Sequence, residues 1–172
     1  MATPNTPGQQ PGIELQLVPI DVPPDANVII GQAHFIKTVE DLYEAVVTGV
    51  PQARFGLAFN EASGPCLIRA EANESDLREA AVLAARAIGA GHVFVLFIRG
   101  AYPINILNRI KGCAEVCSVF CATANPLQVV VAETPSGRGV LGVIDGNPPA
   151  GVETDTDRRA RHEFLRAIGY KL

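Results

Sequence analysis

His92-Val93-Phe94-Val95-Leu96-Phe97-Ile98 is the stretch on which the fold turns. Its apolar side chains follow one another without alternation, and they are β-branched or aromatic. The run falls well short of the roughly 18 residues that a membrane span needs. It also lacks the 3.6-residue period of an amphipathic helix. The pattern therefore predicts a strand buried on both faces. Such a strand lies inside a sheet that other elements cover.

The flanks supply those elements. Upstream, an Ala-rich helix is predicted from about Glu74 to Ile88, closed by Gly89. Downstream, Pro103 stands where a first-turn proline belongs, and Ile104–Ile110 reads as a short helix. Further out, Arg54–Asn60 and Cys66–Ala70 read as strands around the turn Glu61-Ala62-Ser63-Gly64-Pro65. Asn27–Gly31 is a short strand, and Thr38-Val39-Glu40-Asp41 approximates a capping box with Asp replacing Glu or Gln. That helix ends at Gly49 and Pro51. Val116–Ala122, Leu127–Glu133 and Val140–Ile144 are predicted strands, and Asp155–Ile168 is a polar-faced final helix. Ile13–Val18 alternates as a first strand, which the prolines at 19, 23 and 24 are expected to break. The expectation is an α/β fold of about seven or eight strands and four helices, with a mixed sheet covered on at least one face. Consecutive strands near 54–70 and 116–144 look antiparallel, so a purely doubly wound sheet is not expected and an α+β arrangement stays open.

The chain has 172 residues, 48% hydrophobic and 19% charged, which suits one folded domain. Residues 13–172 are assigned to it. Residues 1–12, rich in Pro, Gly, Gln and Thr, can bury little and are expected to form a disordered tail. Net charge is −4, so there is no basic field to hold a nucleic-acid backbone. No apolar run predicts a membrane span, and the polar N-terminus has no signal-peptide pattern, so a cytoplasmic protein is expected. Its four cysteines are then free thiols. Cys113, Cys117 and Cys121 share a four-residue spacing. On a strand they would line one face about 13 Å apart, too far for one metal ion.

Several polar segments are candidates for chemistry. Gly137-Arg138-Gly139-Val140-Leu141-Gly142 matches a dinucleotide fingerprint literally, but a strand follows it where a helix is required. What remains is a Gly-Arg-Gly turn whose amides and guanidinium could grip an anion, or a hairpin turn with an exposed arginine. Asn60, Glu61, Ser63 and Gly64 sit at a strand end, where Glu61 and Ser63 could meet ribose hydroxyls or a metal; a solvated loop is the plainer alternative. His34 and Lys37 precede a helix start, where a cation is unfavourable unless an anion joins it. Asn125 offers the donor and acceptor that read an adenine edge, or simply an Asn-Pro turn. Asp145 ends a strand and could hold Mg²⁺ or act as a base. No P-loop motif occurs.

Six strings carry a resemblance: Asn27–Val47, Phe55–Cys66 (FGLAFNEASGPC), Ile88–Phe97 (IGAGHVFVLF), Cys121–Glu133, Gly137–Gly146 (GRGVLGVIDG) and Glu163–Lys171. Over about residues 13–172 the chain resembles the adenosine-specific kinase family of archaea and bacteria. The resemblance implies an α/β fold with a mixed sheet, a homotrimer, and a small-molecule partner, adenosine or AMP. The family's name implies phosphorylation of adenosine by ATP with Mg²⁺. Some members are labelled AMP–protein transferases, and a non-catalytic AMP sensor is a further alternative. Within the resembling strings, Asp145 and Glu61 are taken as the catalytic or metal-holding carboxylates. His34, Lys37, Asn60, Ser63, Gly64, Asn125, Gly137, Arg138 and Gly139 are taken as nucleotide contacts.

Overall fold

A computed structural model describes residues 12–172; the expected tail falls almost wholly on residues 1–11, outside the described ones. The elements run β1 (Glu14–Ile20), β2 (Ala26–Ala33), α1 (Thr38–Gly49), β3 (Arg54–Asn60), β4 (Ile68–Ala72), α2 (Ser75–Ile88), β5 (Val93–Arg99), α3 (Pro103–Lys111), β6 (Val116–Thr123), β7 (Leu127–Thr134), β8 (Gly137–Asp145) and α4 (Asp155–Ala167). Eight strands and four helices agree with the α/β expectation. The strands divide between two sheets, ordered β4-β3-β5-β2-β6 and β1-β7-β8. Among the described residues every ladder is antiparallel, so the expected single mixed sheet resolves into two antiparallel ones.

β5 is the middle strand of the larger sheet, and its side chains divide between two cores. Phe94, Leu96 and Ile98 join Leu42, Val46, Phe55, Ile106 and Ile110 under α1 and α3. Val93, Val95 and Phe97 join Leu77, Ala81, Ala85 and Ile88 of α2, together with Val18, Val129 and Val131 of the smaller sheet. The layers are thus α1 with α3, then the five-stranded sheet, then α2 beside the three-stranded sheet. α2 comes closest at Gly56 of β3. A Cβ there would lie 2.1 Å from the backbone carbon of Leu77.

Local chemistry explains where the boundaries moved. β1 continues through Pro19 because β1 is an edge strand, where a missing N–H costs no ladder bond. α1 does start at Thr38, but no capping box forms. The Thr38 hydroxyl donates to Phe35 O at 2.5 Å, and Asp41 turns to Lys37 instead. α2 ends as expected, with Gly89 in the left-handed region at φ 63°. β8 begins at Gly137, so Gly137-Arg138-Gly139 is strand rather than turn, and the reversal is made by Pro135-Ser136. β6 carries two extra residues. Gly31 faces Val119 while Ile30 faces Cys121, and Ala33 faces Val116 while Gln32 faces Ser118. Bulges at Phe120 and Cys117 reset the alternation. Cys121 is buried, Cys117 is exposed, and Cys113 lies before the strand, so the three thiols do not share a face.

α4 stands apart from these cores: it contributes no buried residue among the described ones. The outer face of the small sheet is also uncovered, leaving Leu15, Leu17, Leu141 and Ile144 exposed. No described helix is long and apolar enough to cross a membrane.

Candidate functional site

The register of the larger sheet sorts the candidate residues between its two ends. Phe59 faces Phe94, so Asn60 projects from the end where β5 begins. Thr123 faces Val28, and Arg54 and Ala26 both face Arg99, so the 123–125 turn lies at the end where β5 finishes. A seven-residue strand separates these ends by about 20 Å. Glu61 and Asp145, the two expected catalytic carboxylates, therefore do not meet within one chain.

At the first end a cleft of about 450 Å³ opens between the β3–β4 loop, the end of α2 and the start of β8. It brings together Asn60, Glu61, Gly137 and Arg138 from the expected set. Its floor is Asn60, Ile68, Ala85 and Ala90, of which all but Ile68 are buried. Its rim carries Arg86, Arg138 and Ser136. The lining thus combines buried, mostly apolar residues with more exposed polar and charged ones. Asn60 is 7% exposed. Its Nδ2 donates to Ala85 O and to Ala90 O, both at 2.9 Å. Its Oδ1 is buried with no hydrogen-bond partner among the described residues.

Glu61 is fixed from behind. Its Oε2 accepts from Arg69 Nη2 at 2.9 Å and from Leu67 N at 3.3 Å, while Oε1 is not engaged in those bonds. Arg138 leans across the mouth: Nη1 donates to Ala87 O at 3.3 Å and Nη2 pairs with Glu133 Oε2 at 2.9 Å. Ser63 and Gly64 are exposed in the β3–β4 loop, outside the cleft lining. Gly139 is spent in the ladder opposite Ala132.

His34 and Lys37 sit at the same sheet end but in a separate cluster. The His34 amide donates to Glu115 O at 3.1 Å. The Lys37 ammonium lies between the carboxylates of Asp41 and Glu115, the latter 2% exposed. Hydrogen bonding to Asp41, then to Glu115, holds the Lys37 ammonium well above its usual range. The Lys37 bond is also the main cause that pulls Asp41 below the usual carboxylate range. The expected anion beside Lys37 is therefore supplied by the protein's own carboxylates.

At the opposite end Asp145 Oδ1 accepts from Thr123 Oγ1 at 2.8 Å and from Asn125 Nδ2 at 3.0 Å. Asn125 N in turn donates to Thr123 Oγ1 at 3.0 Å. These bonds tie the end of β6 and the turn before β7 to the end of β8. Beside them a larger, apolar hollow of about 850 Å³ lies between α3 and α4, lined by Asn27, Tyr102, Thr123, Phe164, Tyr170 and others.

Three residues at the first end escape a reading of the chain. Arg86 looks like an ordinary basic residue in a helix's last turn. His92 takes φ 61°, sparsely populated for a residue with a Cβ; its amide donates to Asn60 O at 2.7 Å and its ring stacks on Phe59. Glu115 stands in a polar-looking loop yet is buried. The only sequence signal for any of them is that Gly89-Ala90-Gly91-His92 lies inside one of the six resembling strings.

Residues 18–171 match the family model described as adenosine specific kinase. No curated protein sequence matches. Among solved structures the chain is similar to the PH1918 protein from Pyrococcus horikoshii OT3, with 45% sequence identity and a TM-score of 0.90. The match covers 94% of this chain and 99% of that one.

Proposed function

The chain belongs to the adenosine specific kinase family, and from that premise we propose that the cleft at Asn60 binds adenosine or AMP and that the protein phosphorylates adenosine with ATP. The carrying observation is the polarity gradient of the cleft. An apolar floor suits a purine, and guanidinium groups at the mouth suit phosphate. The cleft volume lies within the usual range of small-molecule sites.

Phosphoryl transfer asks mainly for positioning and for neutralisation of charge. The nucleoside 5′-oxygen attacks the γ-phosphorus of ATP, the bond to the β–γ bridging oxygen breaks, and ADP leaves. Glu61 takes the hydroxyl proton. Arg69 and Leu67 N keep Glu61 in place, and Arg138 and Arg86 hold phosphate oxygens. The family's name also implies Mg²⁺. Substrate phosphates and water can supply most of the Mg²⁺ shell, so Glu61 Oε1 is left to the proton and no protein ligand is assigned to the ion. When bound, the ion neutralises charge on the transferring group. Asp145, at the far end of the sheet, is given no part.

The remote position of Asp145 favours a second reading, a non-catalytic AMP sensor, because it leaves one carboxylate in the cleft. Calorimetry with adenosine, AMP and ATP, with and without Mg²⁺, together with a turnover assay, separates the two. AMP binding with no ADP formed from ATP and adenosine would leave the sensor and remove the kinase.

We also propose that the protein works as a homotrimer in a reducing, cytoplasmic setting. Support for the assembly comes from the uncovered leucines of the small sheet, and support for the setting from four free thiols.

A further inference from the structure

We propose that the hollow between α3 and α4 is the docking site for the outer face of the small sheet of a second copy of this chain, so that copies join head to tail. The inference rests on the reading of the protein as a homotrimer and adds which two surfaces meet in it.

Each surface is apolar and unmatched within its own chain. In the hollow, exposure runs from 46% at Ile168 to 68% at Ile104, with Tyr102 and Phe164 between them. α4 shows the need for a neighbour most plainly. Ala160, Phe164, Ala167 and the capping Ile168 recur at helical spacing and give it an apolar stripe, yet none of its residues is buried. A helix of this length is marginal in water unless something covers that stripe. On the small sheet, Leu15, Leu17, Leu141 and Ile144 are exposed to a similar degree. The ladders set Leu15, Ala132 and Gly139 side by side, and likewise Leu17, Val130 and Gly142, so these rows hold no charged group. A Cβ added at Gly139 or Gly142 would meet nothing within 4 Å, so β8 leaves the face open. Contiguous exposed apolar surface marks a contact site.

Charge says that the occupant is another copy. Lys171 is the one charged residue lining the hollow, and Arg166 follows Leu165 of the same lining. Neither forms an ion pair among the described residues, whereas Arg158 and Arg161 do. Glu163 lies on another side of α4, with Arg159 and His162. Around the sheet face the unmatched charges are acidic. Glu14 opens β1 and Asp21 follows its end, both exposed and unpaired among the described residues. Arg138, the small sheet's one basic residue, is held by Glu133. A basic rim and an acidic rim steer two copies together and fix their register. No residue lining the hollow belongs to the small sheet. The two patches are therefore separate, the contact is heterologous, and a closing rotation gives a ring.

The test reads mass by light scattering on full-length chains, with folding checked by circular dichroism. Phe164→Glu spoils the hollow and Leu17→Glu the sheet face, both at exposed positions where a lone chain tolerates the charge. Each variant alone should show the mass of one chain instead of that of the assembly. Mixed in equal amounts they should give a heterodimer, because one intact hollow and one intact sheet face remain between them. Like-with-like contacts gain nothing on mixing, so a mixture that keeps the masses of the separate variants overturns the proposal. A monomeric native protein removes the homotrimer and this inference together. A native oligomer that survives Phe164→Glu takes the hollow out of the interface and sinks the inference while the oligomer stands. If either variant does not fold, a zero-length carbodiimide cross-link on the native protein decides. Lys171 must be joined to Glu14 or Asp21 of another copy, and cross-linked oligomers that lack this link contradict the proposal.

Discussion

Arg138 reaches from the start of β8 to the last carbonyls of α2, and one of its nitrogens is occupied by a half-exposed carboxylate, Glu133. Such a pair contributes at most about 1 kcal/mol to stability. Its loss should therefore be felt in binding rather than in folding. Arg138→Ala should weaken AMP about tenfold, near 1.4 kcal/mol, and leave adenosine within about twofold, because only AMP carries the phosphate. Titration of both ligands into the variant checks this, with an unchanged melting temperature as the companion result. The thiols make a second case at this scale. Burial pushes the Cys121 thiol up to about 11, whereas Cys66 and Cys117 are exposed. The thiolate is the reactive form, and at pH 8 Cys121 stays protonated as well as covered. Brief alkylation at pH 8 followed by peptide mapping should find Cys66 and Cys117 modified and Cys121 intact. Modification of Cys121 would require pH near or above its raised value, or unfolding. Nothing in the spacing of the three cysteines separates Cys117 from Cys121, because that separation is made by an extra residue in the strand.

Elements were legible where local pattern and tertiary demand agree. The run at Val93–Ile98 reads as a doubly buried strand because both its faces are needed, one for α1 and α3, the other for α2. Gly89 and Pro103 mark helix ends by their own backbone limits, whatever surrounds them. Pro19 misleads because its cost depends on whether a neighbour exists on that side, which is a property of the assembled sheet. Gly-Arg-Gly misleads for a similar reason: glycine permits a turn but does not require one, and β7 claims the segment as its partner. The β3–α2 contact gives the sharpest expectation for an element. Gly56→Ala would place a methyl group 2.1 Å from the Leu77 backbone, and a backbone cannot step aside as a flexible side chain can. The loss should be about 3 kcal/mol or more, at the upper end of overpacking costs. Urea denaturation should show the midpoint falling with little change in slope.

At the scale of the molecule, the two ends of the larger sheet settle which candidates can cooperate. Chain distance does not reveal this. Asn60 and Asn125 both follow apolar strands, but β3 and β6 run in opposite directions within one sheet, so their ends point opposite ways. Four of the eleven expected residues, Asn60, Glu61, Gly137 and Arg138, thus line one cleft, while Asn125 and Asp145 form a clamp elsewhere. The exposed outer face of the small sheet carries an expectation about assembly. Leu141 is 63% exposed, so Leu141→Glu should leave a lone chain folded. If that face joins copies, the same change buries an unpaired charge and the oligomer should dissociate. Light scattering on native and variant protein reads the difference, and an unchanged mass would remove this face from the interface.

The pairing of β1 with β7 joins Glu14 to Glu133 and Ile20 to Leu127, residues more than a hundred positions apart in the chain. During synthesis the first strand waits without a partner until nearly the whole chain has emerged. The five-stranded sheet suffers no such delay in β3, β4 and β5, which lie close in sequence. Closing a long loop costs entropy before any contact repays it. The small sheet should therefore be the last part to order. Pulsed hydrogen exchange during refolding should protect the amides of β3 and β5 before those of β1, and simultaneous protection would contradict that sequence of events. The edge that closes the fold is then also its latest commitment, and until it forms, the apolar side chains of β1 are exposed to any other chain with a free strand.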